Sequence, residues 1–247
     1  MNKGFVLSAY TWLIICVFFF PSLVMFAGAF DSNGLFQHVD PNRFLTCLGN
    51  SIEIAFLVVP FSILFGLSGA VVLIKCQPRF SGALWGIVLS PILIPGIVIG
   101  VSALLLWGRF NLSAGYFSIV FAQTTFISSY CLLIISSRLQ KMPIDFERSA
   151  ISLGASPNQT FFRITLPYLW PSILSSLVIA FLASVENYNT TMFAKGGFCT
   201  LATEIGSMTR HPNGAPPVVN FLGFFIIVAT FICAAIYTFN KKGAANG

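Results

Sequence analysis

The sequence predicts an all-α integral membrane protein with six transmembrane helices. Its 247 residues are 56% hydrophobic and only 8% charged, whereas a soluble domain carries about 25% charged residues. Six charge-free runs are each long enough to cross a bilayer, which takes about 20 apolar residues in a helix. The runs lack the alternation of β-barrel strands, and a helix satisfies its own backbone hydrogen bonds in lipid.

The composition also excludes two other classes of protein. Thirteen Lys and Arg with seven Asp and Glu are too few charges to cover a soluble globule of this size. The 27 Phe residues and the mean hydropathy of +0.87 are the opposite of a disordered composition. We therefore expect lipid to be the solvent for most of the chain.

The six helices are expected to form one transmembrane domain over residues 1–247. Lys3, an apolar stretch and Ala27-Gly28-Ala29 resemble a signal peptide, but this stretch is longer than the roughly 7–15 apolar residues of a signal. We therefore expect an uncleaved first helix. Pro91 and Pro95 should bend the third helix. The predicted helices lie at about residues 5–29, 48–74, 83–107, 116–137, 168–187 and 217–239.

The basic residues predict the orientation of the chain. If the N-terminus is cytoplasmic, nine Lys and Arg lie on the cytoplasmic side and four lie outside. Because cytoplasmic loops of membrane proteins carry an excess of Lys and Arg, this division favours cytoplasmic N- and C-termini. The net charge of +6 then reflects topology, and no nucleic-acid partner is needed to explain it.

The cysteine and histidine residues predict neither a disulfide framework nor a metal site. Of the six cysteines, three lie in membrane runs and Cys76 faces the reducing cytoplasm, so only Cys47 and Cys199 could meet outside. His38 and His211 have no metal-ligand spacing to any cysteine. The sequence also lacks a Walker A, GxSxG or HExxH motif. We therefore predict no catalytic residue, metal or cofactor in this chain.

A cytoplasmic loop over residues 138–167 separates the predicted fourth and fifth helices. Pro143 opens a short helix that has Asp145 and Glu147 in its first turns, which suits the helix dipole. Gly154 then supplies a residue that can turn left-handed and end this helix. The first half of the loop is therefore expected to be a short, well-bounded helix.

A second short helix is expected in the same loop. Ser156 is a good N-cap, Pro157 occupies the first helical position and Gln159 lies three residues after the cap, which together form a capping box. We expect this helix to end near Pro167. Two capped helices would make a rigid cytoplasmic projection. The alternative is a surface helix that merely joins two spans.

The loop sequence resembles a family signature. The run Ser149-Ala150-x-x-x-Gly154-Ala155-Ser156, followed by Ile164-x-Leu166-Pro167, resembles the EAA loop of permease subunits of binding-protein-dependent ABC importers. The resemblance implies a type I importer permease fold, in which this loop is a coupling helix that docks in a cleft of a cytoplasmic ATPase subunit. The residues assigned to ATPase coupling on this basis are Glu147, Arg148, Ser149, Ala150, Leu153, Gly154, Ala155 and Ser156.

The chain departs from the pattern of this family in two places. Spermidine/putrescine-type relatives often have two adjacent acids at the end of the fifth helix, whereas this chain has Glu186-Asn187. The other departure lies in the loop. The Glu that gives the EAA motif its name falls at Arg148, and Glu147 lies one residue earlier. A charge reversal at a docking surface should alter which ATPase partner fits. We therefore expect the partner ATPase to differ at this contact from the usual one.

The resemblance extends beyond the loop. Asn50-Ser51 and Ser137-Arg138-Leu139 resemble the general pattern of these permeases. The run from Thr200 to Met208 resembles the outer loop of their spermidine/putrescine-type branch. The resemblance implies a transport subunit of the bacterial inner membrane that is not itself an enzyme. Its implied partners are two ATPase subunits that bind ATP and Mg, a second, non-identical permease subunit, and an extracytoplasmic solute-binding protein.

Two acids at the membrane edge are candidates for the solute pathway. Ionisable groups in membrane segments are costly and tend to face a cavity, and Glu53 and Glu186 are the two such acids here. The alternative is that both lie at the headgroups and pair with Arg43 or Lys195. Glu186 is followed by Asn187-Tyr188-Asn189, which suits a hydrophilic solute. Two carboxylates favour a cationic or zwitterionic one.

The fourth helix adds small polar residues to these candidates. Thr125 and Ser129 lie one turn apart on a helix. They either line the pathway or form the interhelical hydrogen bonds that small polar residues provide in membranes. The predicted pathway comprises Asn50, Glu53, Thr125, Ser129, Glu186, Asn187 and Tyr188.

We thus predict the membrane subunit of an ATP-driven importer, which forms the translocation path for a small hydrophilic solute. The alternative is a secondary transporter that works alone. Such a transporter would be expected to contain an inverted repeat or more spans, and the sequence shows no clear internal repeat. An integral-membrane enzyme is a further alternative, but the sequence offers no catalytic constellation for it.

Overall fold

A computed structural model describes residues 40–76 and 78–210, with isolated positions before and after these ranges. The predicted first and sixth helices, at about 5–29 and 217–239, fall outside these ranges. The chain divides into two compact units, and one of them is the continuous segment Leu45–Glu204. The other unit consists of Met1–Phe44 and Ile205–Gly247.

The regular elements of the described residues are helices. Two wider, π-helical turns accompany them. Val72–Cys76 prolongs the first of the described helices, and Phe161–Thr165 joins the helix that ends at Thr160 to the helix that begins at Leu166. In chain order the helices are α1 (Pro41–Val71), α2 (Ser81–Leu93), α3 (Gly96–Arg109), α4 (Tyr116–Leu139), α5 (Ile144–Ser152), α6 (Pro157–Thr160), α7 (Leu166–Val185), α8 (Thr191–Ala194) and α9 (Leu201–Met208).

Three helical stretches of the described residues are long and apolar enough to cross a membrane. They are Pro41–Cys76, Tyr116–Leu139 and Pro157–Val185, and they correspond to the predicted second, fourth and fifth helices. A fourth span is formed if α2 and α3 cross the membrane together. The all-α membrane fold that the sequence predicts is therefore confirmed.

The predicted third helix is in fact two helices. We expected one bent helix at about residues 83–107, but α2 and α3 meet at 101°. Ile94, between them, is extended, with φ −83° and ψ 131°. This break has a steric cause, because a proline disfavours helical conformation in the residue before it, and Pro95 follows Ile94.

The end predicted for the second loop helix, near Pro167, is also wrong. This helix continues without interruption from Pro157 to Val185, over 29 residues. In the π-helical turn, the Leu166 N–H donates to the Phe161 carbonyl five residues earlier. The altered hydrogen-bond pattern accommodates Pro167, which has no N–H to donate. The cytoplasmic loop and the fifth span therefore share one continuous helix.

The α4 helix lies at the centre of the unit Leu45–Glu204. Its side chains Ile119 and Ile127 are fully buried against Ile54 and Val58 of α1 and Ala180 of α7, among others. A second cluster nearer the cytoplasmic loop joins α4 to α1 and α7 in the same way. Both clusters include side chains of α4, which therefore connects the two ends of the unit.

Candidate functional site

A cavity of about 560 Å³ lies where α3, α4 and α7 meet the loop that follows α7. Glu186 is the only Asp, Glu, Lys or Arg among the residues that line it. Three aromatic residues line it as well, and the rings of two of them, Phe126 and Tyr130, are 5.2 Å apart. The lining residues are Gly96, Phe126, Tyr130, Ile179, Leu182, Ala183, Glu186, Asn187, Tyr188, Asn189 and Thr190.

The chemistry of this cavity suits a small organic cation. A carboxylate attracts an ammonium group, and the faces of aromatic rings do so too. The amide side chains of Asn187 and Asn189 offer hydrogen bonds at the same wall. The combination of one anionic group, aromatic faces and neutral amides is therefore complementary to a cation with an apolar body.

The loop at residues 186–190 is fixed against α3. Asn187 is buried, and its Oδ1 accepts a hydrogen bond of 3.1 Å from the Thr190 N–H. The carbonyl of Thr190 lies so close to Gly100 that a Cβ at Gly100 would be 2.3 Å from it. Only glycine fits at this point of α3, because backbone cannot yield as a flexible side chain can. The cavity wall therefore has a defined position.

A buried amide on α4 also supports this loop. Gln123 Nε2 donates to Thr191 Oγ1 at 2.8 Å, and Ser184 Oγ donates to Gln123 Oε1 at 2.6 Å. We did not select Gln123 from the sequence. The only signal for it was an amide side chain within a long charge-free run, which does not indicate the partners that it contacts.

The structure divides the predicted pathway residues into separate places. Glu186, Asn187 and Tyr188 line the cavity together. Glu53 instead lies near Tyr116 at the start of α4, and it is not among the residues of the cavity.

Thr125 and Ser129 line a different and mostly apolar cavity of about 650 Å³ between α1, α2 and α4. Ser129 Oγ donates to the Val88 carbonyl of α2 at 2.6 Å, which is the interhelical bond considered as its alternative role. Thr125 Oγ1 donates to the Phe121 carbonyl within its own helix at 2.9 Å. Both hydroxyls thus have partners within the protein.

Asn50, the remaining pathway candidate, anchors an outer segment. Its Nδ2 donates to the Cys199 carbonyl at 3.0 Å, and the next residue, Ser51, accepts from the Leu201 N–H at 2.7 Å. Cys47 and Cys199, the pair that the sequence left possible, form a disulfide with a Cα–Cα distance of 5.2 Å. The segment from Cys199 to Leu201 is therefore held on the first turns of α1 by three contacts.

The cytoplasmic loop folds as its local sequence signals predict. Two acids lie in the first turn of α5, and Gly154 after it has the left-handed φ of +86°. The capping box is formed in both directions: Gln159 N–H donates to Ser156 Oγ at 3.3 Å, and Ser156 N–H donates to Gln159 Oε1 at 2.9 Å. The two-helix interpretation of this loop is confirmed up to the start of the second helix.

Polar contacts attach this loop to the membrane helices. Glu147 forms an ion pair with Lys75 at the end of the α1 span and accepts a hydrogen bond from Thr165. Arg138, at the end of α4, donates from Nε to the Tyr168 carbonyl at 2.7 Å and lies 4.8 Å from the centre of the Tyr168 ring. Glu147 thus faces the protein and attaches the loop to the end of the α1 span, and Arg138 joins the end of α4 to α7.

Apolar side chains of the loop remain exposed. Leu153 is 88% exposed and Ile151 is 57% exposed, and Arg148 is exposed beside them. Ala150 is buried against the protein, so it differs from its neighbours in the predicted coupling set. Of the remaining members of that set, Ser149 is exposed on α5, and Gly154, Ala155 and Ser156 lie in the turn between α5 and α6. Clustered exposed apolar side chains mark a surface that contacts a partner.

The described residues contain no group of three or more His, Cys, Asp or Glu side chains that could hold a metal ion.

Comparisons with known proteins agree with these features. Residues 2–244 match the family described as "Binding-protein-dependent transport system inner membrane component". A spermidine/putrescine transport system permease protein PotC homolog from Mycoplasma genitalium is 30% identical over 85% of this chain and 75% of its own length. The putrescine transport system permease protein PotI of Escherichia coli K12 is 31% identical over 78% of this chain and 70% of its own length.

A solved structure supports the fold. A chain of a bacterial ABC transporter involved in the import of the acidic polysaccharide alginate superposes with a TM-score of 0.69, at 14% identity, and the match covers 95% of each chain. At this identity the likeness shows the fold alone, which is that of an importer permease. The chain therefore belongs to the family of binding-protein-dependent transport system inner membrane components, the permease subunits of ABC importers, which rely on partner ATPases for ATP hydrolysis.

Proposed function

We propose that this subunit carries a small organic cation of the diamine or polyamine class through the cavity that Glu186 lines. The observation that carries the proposal is a single carboxylate set among the aromatic residues Phe126, Tyr130 and Tyr188. An ammonium group is attracted to both kinds of group, and an apolar diamine body suits the remaining apolar lining. The spermidine/putrescine and putrescine transport names of two relatives support the same class.

We also propose the inner membrane as the location, with both termini in the cytoplasm. A disulfide persists in an oxidising compartment, so the Cys47–Cys199 bond supports an extracytoplasmic position for the start of α1. Lys75 and Arg79 follow the other end of this span, as the excess of basic residues on the cytoplasmic side requires. The coupling loop then lies on the cytoplasmic side, where an ATPase has access to it.

The exposed apolar surface of the loop is proposed to dock on an ATPase subunit. Leu153 would enter an apolar cleft of that subunit, and Arg148 beside it would meet an acidic residue. Glu147 would not contact the ATPase. Its ion pair with Lys75 would instead connect the docked loop to the α1 span. ATP and Mg are expected on two such ATPase subunits, and a second, non-identical permease subunit would complete the membrane part.

The substrate is tested with the complete complex in proteoliposomes. Purified ATPase subunits, both permease subunits and the binding protein are reconstituted, and ATP-dependent uptake of radiolabelled putrescine and spermidine is measured. We expect saturable uptake of at least one of the two, and no uptake of neutral or acidic solutes of similar size. Uptake of a neutral or acidic solute in their place would contradict the proposed substrate class, and uptake by this chain without the ATPase would contradict the importer mechanism.

A further inference from the structure

Gln123 connects the two ends of the cavity-lining loop. It lies at the middle of α4 and is 1% exposed. Its Oε1 accepts from Ser184 at the end of α7, and its Nε2 donates to Thr191 at the start of α8. The segment between these two contacts, residues 185–190, includes all five consecutive lining residues from 186 to 190. The Gln123 amide therefore hydrogen-bonds the residues on both sides of the loop, Ser184 and Thr191, which we call the two stems of the loop.

We propose that Gln123 is the positioning residue of the solute cavity, because it fixes the loop that presents Glu186. The proposal rests on the proposed function, in which this cavity is the solute path. Gln123 is not among the lining residues, so it acts through the loop and not through contact with the solute. An amide suits this role because it offers a donor and an acceptor at the same time.

Two other contacts of the loop differ in kind from this connection. The bond from Thr190 N–H to Asn187 Oδ1 lies within the loop, so it shapes the loop without attaching it to a helix. The close approach of Thr190 to Gly100 is a packing contact with α3. Among the described side-chain hydrogen bonds of the residues that flank the loop, those of the Gln123 amide reach both Ser184 and Thr191 from α4.

A purely structural role for Gln123 makes a different prediction. Buried polar groups without partners destabilise a protein, so loss of the amide would then reduce the amount of folded complex and leave each folded molecule as it was. A positioning role instead predicts a complex that assembles normally and has a mobile loop. The two roles are therefore distinguished by a measurement on folded molecules.

The loop position is measured with a buried cysteine. Thr190 is 1% exposed, so Thr190→Cys is expected to resist an impermeant maleimide while the loop is held. The four cysteines outside the disulfide are first replaced, at Cys16, Cys76, Cys131 and Cys233. Gln123→Met, which keeps the length of the side chain and removes both bonds, should raise the labelling rate about tenfold, as the loss of two hydrogen bonds implies.

Two further variants complete this experiment. Ser136→Ala removes a buried hydroxyl of the same helix, which bonds only to the Leu133 carbonyl of its own helix at 3.1 Å, and it should leave the labelling rate unchanged. Gln123→Glu has the same length and can again pair with both hydroxyls, so it should restore protection. An unchanged rate in Gln123→Met, or an equal rise in Ser136→Ala, would overturn the proposal.

Transport separates this proposal from the proposed function. In proteoliposomes of the complete complex, Gln123→Met should lower the number of putrescine molecules imported per ATP about fivefold or more, at an unchanged yield of complex. An unchanged ratio together with faster labelling would show a loop whose position does not matter for transport, and this would overturn the positioning role. If the wild-type complex imports neither diamine nor polyamine, the proposed substrate is wrong, and the labelling result alone decides whether Gln123 holds the loop.

Discussion

The loop at residues 185–190, which we propose to be the outer loop, and the loop at residues 138–167, which we propose to be the cytoplasmic loop, are held by opposite kinds of contact. Neutral hydrogen bonds of the buried amides Gln123 and Asn187 fix the outer loop. The cytoplasmic loop is braced by charged side chains, such as the pair of Lys75 and Glu147, and it leaves Leu153 almost fully exposed. A wall of a solute cavity needs its own internal support, whereas a docking surface remains incomplete until its partner binds.

The largest effect is expected from a substitution in the proposed docking surface of the cytoplasmic loop. Leu153→Asp would place an unpaired charge in the interface with the ATPase, and burial of such a charge costs about 3 kcal/mol or more. We expect the affinity of the complex for the ATPase subunit to fall about 100-fold, without loss of folding, because Leu153 is exposed in this chain. The affinity is measured by titration of detergent-solubilised permease with the ATPase.

The matched control is Leu153→Met, which keeps an apolar side chain of similar size. We expect its affinity for the ATPase to remain within about threefold of the wild-type value. Equal losses in the two variants would mean that the shape of leucine matters and its apolar character does not. Full affinity in Leu153→Asp would remove this surface from the interface.

The second-largest effect is expected from a substitution in the cavity that Glu186 lines. Glu186→Gln removes the one charge of the cavity lining, and a hydrogen bond to a charged group contributes about 2 kcal/mol, so uptake of putrescine should fall about 30-fold. Glu53→Gln is the comparison, because Glu53 lies near Tyr116 and outside the lining of this cavity. Initial rates of uptake in proteoliposomes check both variants. A larger loss in Glu53→Gln than in Glu186→Gln would reverse the assignment.

Loss of the ion pair between Lys75 and Glu147 should have a smaller effect on uptake. The Lys75 and Glu147 side chains are about one-quarter exposed, at 26% and 23%, so solvent screens their ion pair in part, and we expect about 1 kcal/mol of coupling. Lys75→Met and Glu147→Gln should each lower uptake per ATP about fivefold. The double variant should be no worse than either single one, as a double-mutant cycle reports for two interacting partners. Additive losses would mean that the two residues act independently.

The disulfide should have the smallest effect on uptake. Replacement of Cys47 and Cys199 by serine leaves the bonds of Asn50 and Ser51 to the same outer segment, so we expect uptake to change less than about twofold. The thermal stability should nevertheless fall, because a disulfide typically contributes about 2–4 kcal/mol. Thermal unfolding of the purified complex, with and without reductant, checks this expectation. An unchanged midpoint in the reduced protein would contradict it.

Local signals explain what the sequence predicted well. Gly154 and the Ser156–Gln159 capping box act within a few residues of the chain, so their conformations can be predicted from the chain itself. The long apolar spans depend on composition in the same way. Where the prediction was wrong, at Ile94 and at Pro167, a proline was present but its effect depended on whether neighbouring hydrogen bonds could shift.

Long-range contacts explain what the sequence did not predict. The cluster from Glu186 to Tyr188 is contiguous in the chain, and it was therefore visible as a candidate. Gln123 is 61 residues from Ser184 and 68 from Thr191, and its amide resembles that of any other glutamine in an apolar run. Glu53 was grouped with Glu186 because both are acids at a membrane edge, and only the packing separates them.

The position of a bound solute tests the central claim most directly. The complete complex is trapped with its loaded binding protein and a non-hydrolysable ATP analogue, and its structure is determined by electron cryo-microscopy in the presence of putrescine. We predict density for the diamine in the cavity of Phe126, Tyr130 and Glu186, with an ammonium nitrogen within about 4 Å of the Glu186 carboxylate. Density for the diamine in the cavity of Thr125 and Ser129, with the Glu186 cavity empty, would contradict the account.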